Sequence, residues 1–237
     1  LYVMLDMHAP QGGGCQGPKD HRMLAFWDGA DSQYRDRFLA LWQKLSQRYK
    51  YEPAIFAYDL LNEPRPDTQD QYMTLLENTV NAIRAEGDSH ILNVEVSFVD
   101  GEHFLKPFEL GGKTNIIYDF HFYDPWDEYT DDESAVYGIN DLNASKTREL
   151  FEDMSNFYVA RNLPFTVSEL GQKYDTFVAK NAIEWVGDVL DLVDEKGGNY
   201  FYFSYKGNEF GIYKNLNKYS DSTPKNEPLV EVFKNRR

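Results

Sequence analysis

Ile55-Phe56-Ala57-Tyr58-Asp59-Leu60-Leu61-Asn62-Glu63-Pro64 is the stretch on which the fold turns. Its first seven residues are mostly apolar, favour extended backbone and are too few for a helix, so they read as a buried strand. Pro64 has no N–H to give and steers the preceding residue away from helical geometry. The strand is therefore expected to stop there with Glu63 extended. A carboxylate then stands at the carboxyl end of a buried strand, and in a barrel of parallel strands that is the end where chemistry takes place. Taken alone, a Glu in such a position is more often simply solvated. The rest of the chain changes that reading.

Outward from this stretch, strands alternate with helices. Leu1–Asp6 reads as a strand running into Met7-His8 and a Gly-rich loop, 11–17. A helix follows over about 31–49, with Phe38, Leu41, Trp42, Leu45 and Tyr49 on one face. Beyond the central strand, Asp67 or Thr68 caps a helix to about Ala85. Strands are then expected at Ile91–Val96, Asn115–Phe120, Phe165–Ser168 and Asn199–Tyr205. Helices are expected at about 145–162, 179–196 and 229–233. Six strand-then-helix units with short turns imply parallel strands joined by right-handed crossovers. No linker, repeat or low-complexity segment interrupts them, so residues 1–237 read as one domain of barrel size.

Composition narrows the function classes. A formal charge of −15 over 237 residues argues against nucleic acid and against an anionic membrane surface. No run approaches the roughly 18 apolar residues of a membrane span. With 17 Tyr and 16 Phe, aromatic side chains are left over for a surface that stacks on a neutral substrate. The single cysteine, Cys15, excludes an internal disulfide and a cysteine-based zinc site, and reads as a bystander thiol. The acidic stretch 127–141 reads as a solvated loop, since it lacks the Gly at the sixth position and the terminal Glu of a calcium loop. No metal constellation and no cofactor is expected. Leu1 opens directly into a strand, with neither an initiator Met nor a signal peptide, so a fragment, a processed product or a shortened gene is expected. The compartment stays undecided between export and cytoplasm.

The residues that carry chemistry fall at strand ends: His8, Asn62 and Glu63, His121 and Tyr123, and Glu169. A parallel barrel brings all such ends to one rim. Two carboxyls across a cleft can split a glycosidic bond, one protonating the leaving oxygen and the other attacking the anomeric carbon. Mutual repulsion and partial burial keep one of them protonated.

The run Tyr58–Arg65, carrying Asn62-Glu63-Pro64, resembles the signature of glycoside hydrolase family 5, the cellulase family of (β/α)8 barrels. It is joined in order by Leu5-Asp6-Met7-His8, His121-Phe122-Tyr123-Asp124-Pro125, Val167-Ser168-Glu169-Leu170-Gly171 and Phe203-Ser204-Tyr205-Lys206. The resemblance implies that Glu63 is the acid/base and Glu169 the nucleophile. It implies that Asn62 bonds the sugar 2-OH, that His121 and Tyr123 support the acid/base and the nucleophile respectively, and that His8 bonds sugar hydroxyls. Two departures stand out. The family's first two strand–helix units, and an Arg beside the nucleophile, have no counterpart, so a fold of about six units is expected. Where the family places a sugar-stacking Trp, this chain has Phe203, a smaller face. Trp126, or Phe26-Trp27 in the first loop, could supply stacking instead.

The leading expectation is thus a retaining endo-type β-glycosidase acting on a β-linked oligo- or polysaccharide such as a glucan, with polymer turnover weakened by the shortened cleft. The rivals are a carboxylesterase acting on small activated esters and an inactive carbohydrate-binding remnant. Exposed sheet edges carrying Tyr2, Met4 and Tyr202 point to a homo-oligomer. Asp100 and Glu102 could line the cleft. His90 and His103 read as ordinary loop histidines.

Overall fold

Strand β2 takes up Ile55–Asp59, two residues shorter than the apolar run that announces it. Leu60 and Leu61 stay buried but leave the strand. The Leu60 N–H donates to the Asn93 carbonyl at 3.2 Å, and the Trp42 indole N–H donates to the Leu60 carbonyl at 3.1 Å. Burial outlasts the ladder here, so hydrophobicity overstates the length of the strand. The computed structural model describes residues 1–13, 24–27, 33–96, 98–99, 102–103, 106–123, 137–138, 144–172, 181–205, 210–213 and 225–236. The chain divides into two compact units, Leu1–Asp119 and Phe120–Arg237.

In the first unit, β1 (Val3–Asp6), β2, β3 (Ile91–Val96) and β6 (Ile116–Phe120, whose last residue opens the second unit) lie side by side in chain order. The pairs β1–β2 and β2–β3 run parallel. Their registers set Asp6 opposite Asp59, and Asp59 opposite Asn93, so polar residues form a row across three strands. Helices α1 (Leu24–Trp27), α2 (Gln33–Tyr49) and α3 (Gln69–Ala85) cover the strands. Phe38 and Trp42 of α2, and Tyr72, Leu76, Val80 and Ile83 of α3, are buried. Each such side chain contributes roughly 1.5–3 kcal/mol of burial. Leu41, expected on the inner face of α2, is exposed instead. Thr68 is the α3 cap, its hydroxyl accepting the Gln71 N–H at 3.2 Å, a contact of the kind worth about 1 kcal/mol.

Two elements of this unit were not legible as patterns: α1, and a small antiparallel hairpin of β4 (Phe98–Val99) with β5 (Glu102–His103). Phe26 and Trp27, candidates for sugar stacking, are buried at 0% and 2% exposure. They pack edge-on against Phe38 and Tyr72, so their rings serve the core. His90 is likewise no ordinary loop histidine. Its ring Nδ1 lies 2.6 Å from the buried Asp88 carboxylate, which also accepts the His90 N–H and the Tyr58 hydroxyl, both at 2.9 Å. Burial alone would raise the Asp88 carboxyl. The hydrogen bonds from His90, Tyr58 and Ser46 outweigh it and hold the group below its ordinary range.

The second unit contains α4 (Ala144–Val159), β7 (Phe165–Leu170), α5 (Ala182–Lys196), β8 (Asn199–Tyr202) and α6 (Glu227–Lys234). Strands β7 and β8 run parallel, and the register slips between Val167 and Leu170, so β7 bulges at Ser168-Glu169. The strand passes through Glu169 rather than ending before it. The core is aromatic: Phe122 stacks on Trp185 at 6.2 Å, Phe120 on Phe165 at 5.9 Å, and both Phe120 and Phe122 meet Phe151 edge-on. Tyr202 is half-buried, its ring against Phe233 of α6, whereas Tyr2 is exposed. Among the described residues, no helix is long and apolar enough to cross a membrane.

Candidate active site

The first unit presents Glu63 on a corner, Leu60–Pro64, tied to its neighbours at the Leu60, Asn62 and Glu63 N–H groups and at the Leu60 carbonyl. Besides the two bonds to Leu60, the Asn62 N–H donates to the Met7 carbonyl at 3.3 Å, and the Met7 N–H donates to the Asp59 carbonyl at 3.1 Å. The Glu63 N–H donates to Oε2 of Glu95 at 2.8 Å. Glu63 is not extended: its φ is +40°, in the left-handed region. The local preference imposed by Pro64 loses to these tertiary bonds. A non-glycine residue in this region costs about 1–2 kcal/mol, which the surrounding bonds must offset. The side chain of Glu63 therefore leaves the alternation of β2, and the corner sets its direction.

Asn62 is 2% exposed, and its Nδ2 has no partner among the described residues. A buried amide N–H left in that state costs free energy, and a hydroxyl acceptor on a bound molecule would satisfy it. His8 lies just past β1, half-exposed, with Nδ1 2.9 Å from Asp6 Oδ2. In β3 the side chains of Asn93 and Glu95 are both buried, at 1% exposure each. Asn93 Nδ2 donates to Asp119 Oδ2 of β6 at 2.7 Å.

The second unit holds Glu169 by its carboxylate. The Tyr123 hydroxyl donates to Glu169 Oε2 at 2.8 Å, and His121 Nδ1 lies 3.5 Å from the same oxygen. The Phe122 N–H donates to the Glu169 carbonyl at 2.9 Å, which fixes the backbone as well. Both side-chain contacts converge on one oxygen, and Oε1 lies outside them. Tyr123 is itself braced: Phe210 meets its ring at 5.7 Å and meets Phe203 at 6.1 Å, both edge-on. The Phe203 N–H donates to the Leu170 carbonyl at 2.8 Å, and the Phe203–Ser204 peptide bond is cis. The Phe203 carbonyl lies so close over Gly171 that a Cβ there would run into it, so only glycine fits after β7. Trp126 lies outside the described residues, as do Asp100, Cys15 and most of the acidic stretch 127–141.

Two contributors were missed from sequence, Glu95 and Phe210, whereas Gly171 was seen only as part of a motif. Glu95 had a signal. Asn93 and Glu95 are polar residues at alternate positions of an otherwise apolar strand, which puts both on one face. Phe210 sits in the segment after β8 and carries no pattern that marks it.

Residues 1–209 match the model of a family described as Cellulase (glycosyl hydrolase family 5). A β-xylosidase of Phanerodontia chrysosporium is 27% identical over 206 residues, covering 83% of this chain and 40% of that protein. Endoglucanase C of Acetivibrio thermocellus is 29% identical over 131 residues, covering 53% of this chain and 35% of that protein. The chain thus spans less than half the length of these curated relatives. Among solved structures, Thermotoga maritima Cel5A in complex with cellobiose matches with a TM-score of 0.71 at 22% identity, over 86% of this chain and 68% of that one. This likeness shows the fold, a parallel (β/α)-barrel type, as the strand pattern and the family resemblance together imply.

Proposed function

Because the chain belongs to the cellulase family, glycosyl hydrolase family 5, we propose that it hydrolyses β-linked glycans with retention of configuration, using Glu169 as nucleophile and Glu63 as acid/base. The observation that carries this reading is the grip on Glu169. One carboxylate oxygen is held by the Tyr123 hydroxyl and approached by His121, in a bulge that re-aims the side chain.

In the first step the other Glu169 oxygen attacks the anomeric carbon. The bond to the leaving sugar breaks, and the proton on Glu63 passes to the leaving oxygen. In the second step a water gives its proton to Glu63 while its oxygen attacks the same carbon, releasing the Glu169 carboxylate. The chemistry requires the two carboxyls to come about 5–5.5 Å apart. Asn62, with its unpartnered buried Nδ2, offers a donor to a sugar hydroxyl. His8 and Phe203 supply further contacts on the polar and the apolar side. The relatives named as an endoglucanase and a β-xylosidase favour backbones of glucose or xylose as substrate.

The test is turnover of aryl β-cellobioside, aryl β-xyloside, a soluble β-glucan and an aryl acetate by the chain and its Glu169→Gln variant. Glycoside turnover that the substitution abolishes supports the reading. Glycoside turnover that survives it removes Glu169 as nucleophile, and ester turnover that survives it belongs to some other group.

A further inference from the structure

We propose that Glu95 is a positioning residue for the acid/base, holding Glu63 in its left-handed backbone through the Glu63 N–H. The inference rests on the reading of Glu63 as proton donor and goes beyond it, because Glu95 lies on a different strand and outside the motif that marks Glu63.

Four backbone contacts shape the Leu60–Pro64 corner, and three are made by groups with little freedom to choose. The Leu60 N–H and the Asn62 N–H go to main-chain carbonyls, those of Asn93 and Met7. The Leu60 carbonyl takes the indole N–H of Trp42, which is fixed in the core at 0% exposure. The fourth, at the residue that carries the carboxyl, goes to a side chain, Oε2 of Glu95, at 2.8 Å. It falls on the one residue of the corner with a positive φ.

Leaving that strained state would break this bond, and Pro64 favours the extended alternative because it disfavours helical geometry in the residue before it. Relaxed towards the extended backbone that Pro64 favours, Glu63 would resume the alternation of β2 and turn its carboxyl elsewhere. A carboxyl at 1% exposure is an expensive group to bury, and a backbone N–H is a good reason for it to be there. Glu95 is thus placed to choose between two directions of the Glu63 side chain.

Two conservative variants separate position from charge. Glu95→Gln keeps an oxygen at the same reach and removes the charge. Glu95→Asp keeps the charge and withdraws the oxygen by one methylene. The readout is kcat/KM on phenyl and dinitrophenyl β-cellobiosides, since a poor leaving group needs the proton and a good one does not. Thermal melting shows that each variant is folded. The expected result is that Glu95→Asp loses about a hundredfold on the phenyl glycoside and only a few-fold on the dinitrophenyl one. Glu95→Gln should stay within a few-fold of the parent on both. Equal losses on the two substrates, or a Glu95→Gln profile as steep as that of Glu95→Asp, would overturn the proposal. Glu63→Ala is the control: if it shows no leaving-group dependence, the acid/base reading itself falls and this inference falls with it. If only the Glu95 variants lack it, the inference alone fails.

Discussion

Glu63 stands beyond the end of β2 in left-handed backbone, gripped by its N–H, whereas Glu169 stands inside β7 at a bulge, gripped by its own carboxylate. The two devices suit the two tasks proposed for these residues. A nucleophile must aim one oxygen, so fixing the other with Tyr123 and His121 is an economical way to orient it. An acid/base must release one proton and take one up in each cycle, so fixing the backbone beneath its carboxyl orients it without occupying its protonated oxygen. The contrast also explains which helpers matter at each place: a buried acid on a neighbouring strand for Glu63, and a phenol braced by Phe210 for Glu169.

Cutting the carboxylate grip should have the larger effect. Tyr123→Phe removes a hydrogen bond to a charged group, worth about 1.5–3 kcal/mol, or roughly a ten- to hundredfold loss in kcat/KM. Because the nucleophile serves every substrate, the loss should be the same on phenyl and dinitrophenyl glycosides in steady-state kinetics. A loss confined to the poor leaving group would assign Tyr123 to the proton donor and reverse the comparison.

The backbone contrast predicts opposite signs of stability for the same pair of substitutions. At position 63 the positive φ strains any Cβ, so Glu63→Gly should be more stable than Glu63→Ala by about 1 kcal/mol. At position 169, where φ is not in the left-handed region, Glu169→Gly should be less stable than Glu169→Ala by about 0.5–1 kcal/mol, from chain entropy. Urea denaturation of the four variants reads both differences. The same sign at both positions would mean that the Glu63 corner is unstrained.

The smallest effect separates the scaffold of the Glu63 corner from the corner itself. Asp88, held below its ordinary range, ties Tyr58 of β2 to the start of β3. A depressed carboxyl contributes stability that is fully present above the ordinary Asp value of about 3.9 and is lost as pH falls through the lower folded value. Asp88→Asn should therefore flatten the fall in stability below about pH 4. An unchanged acid limb in urea titrations would show that the cluster is not what holds the two strands together.

Much of the scaffold was legible because its signals are local. The strand Ile91–Val96 and the helix ending at Lys196 were read from residue types alone and stand as read, and of the two cap candidates, Asp67 and Thr68, the second is the cap. What escaped was decided by tertiary partners. Pro64 argues for an extended Glu63, and bonds from three other elements overrule it. Aromatic residues in a Gly-rich loop look like a binding surface, yet Phe26 and Trp27 find a core to enter. Candidate residues were visible as types at strand ends, whereas their supports were not. Glu95 and Phe210 touch neighbours that only the fold brings to them.

The most direct test of the two-glutamate account is chemical trapping. A 2-deoxy-2-fluoro cellobioside with a dinitrophenyl leaving group slows the second step and lets the covalent glycosyl-enzyme accumulate, to be located by peptide mass spectrometry. The account predicts one added sugar unit on the peptide containing Glu169, and none in Glu169→Gln. A label on any other residue, or a chain that turns over aryl cellobioside yet never becomes labelled, would contradict it.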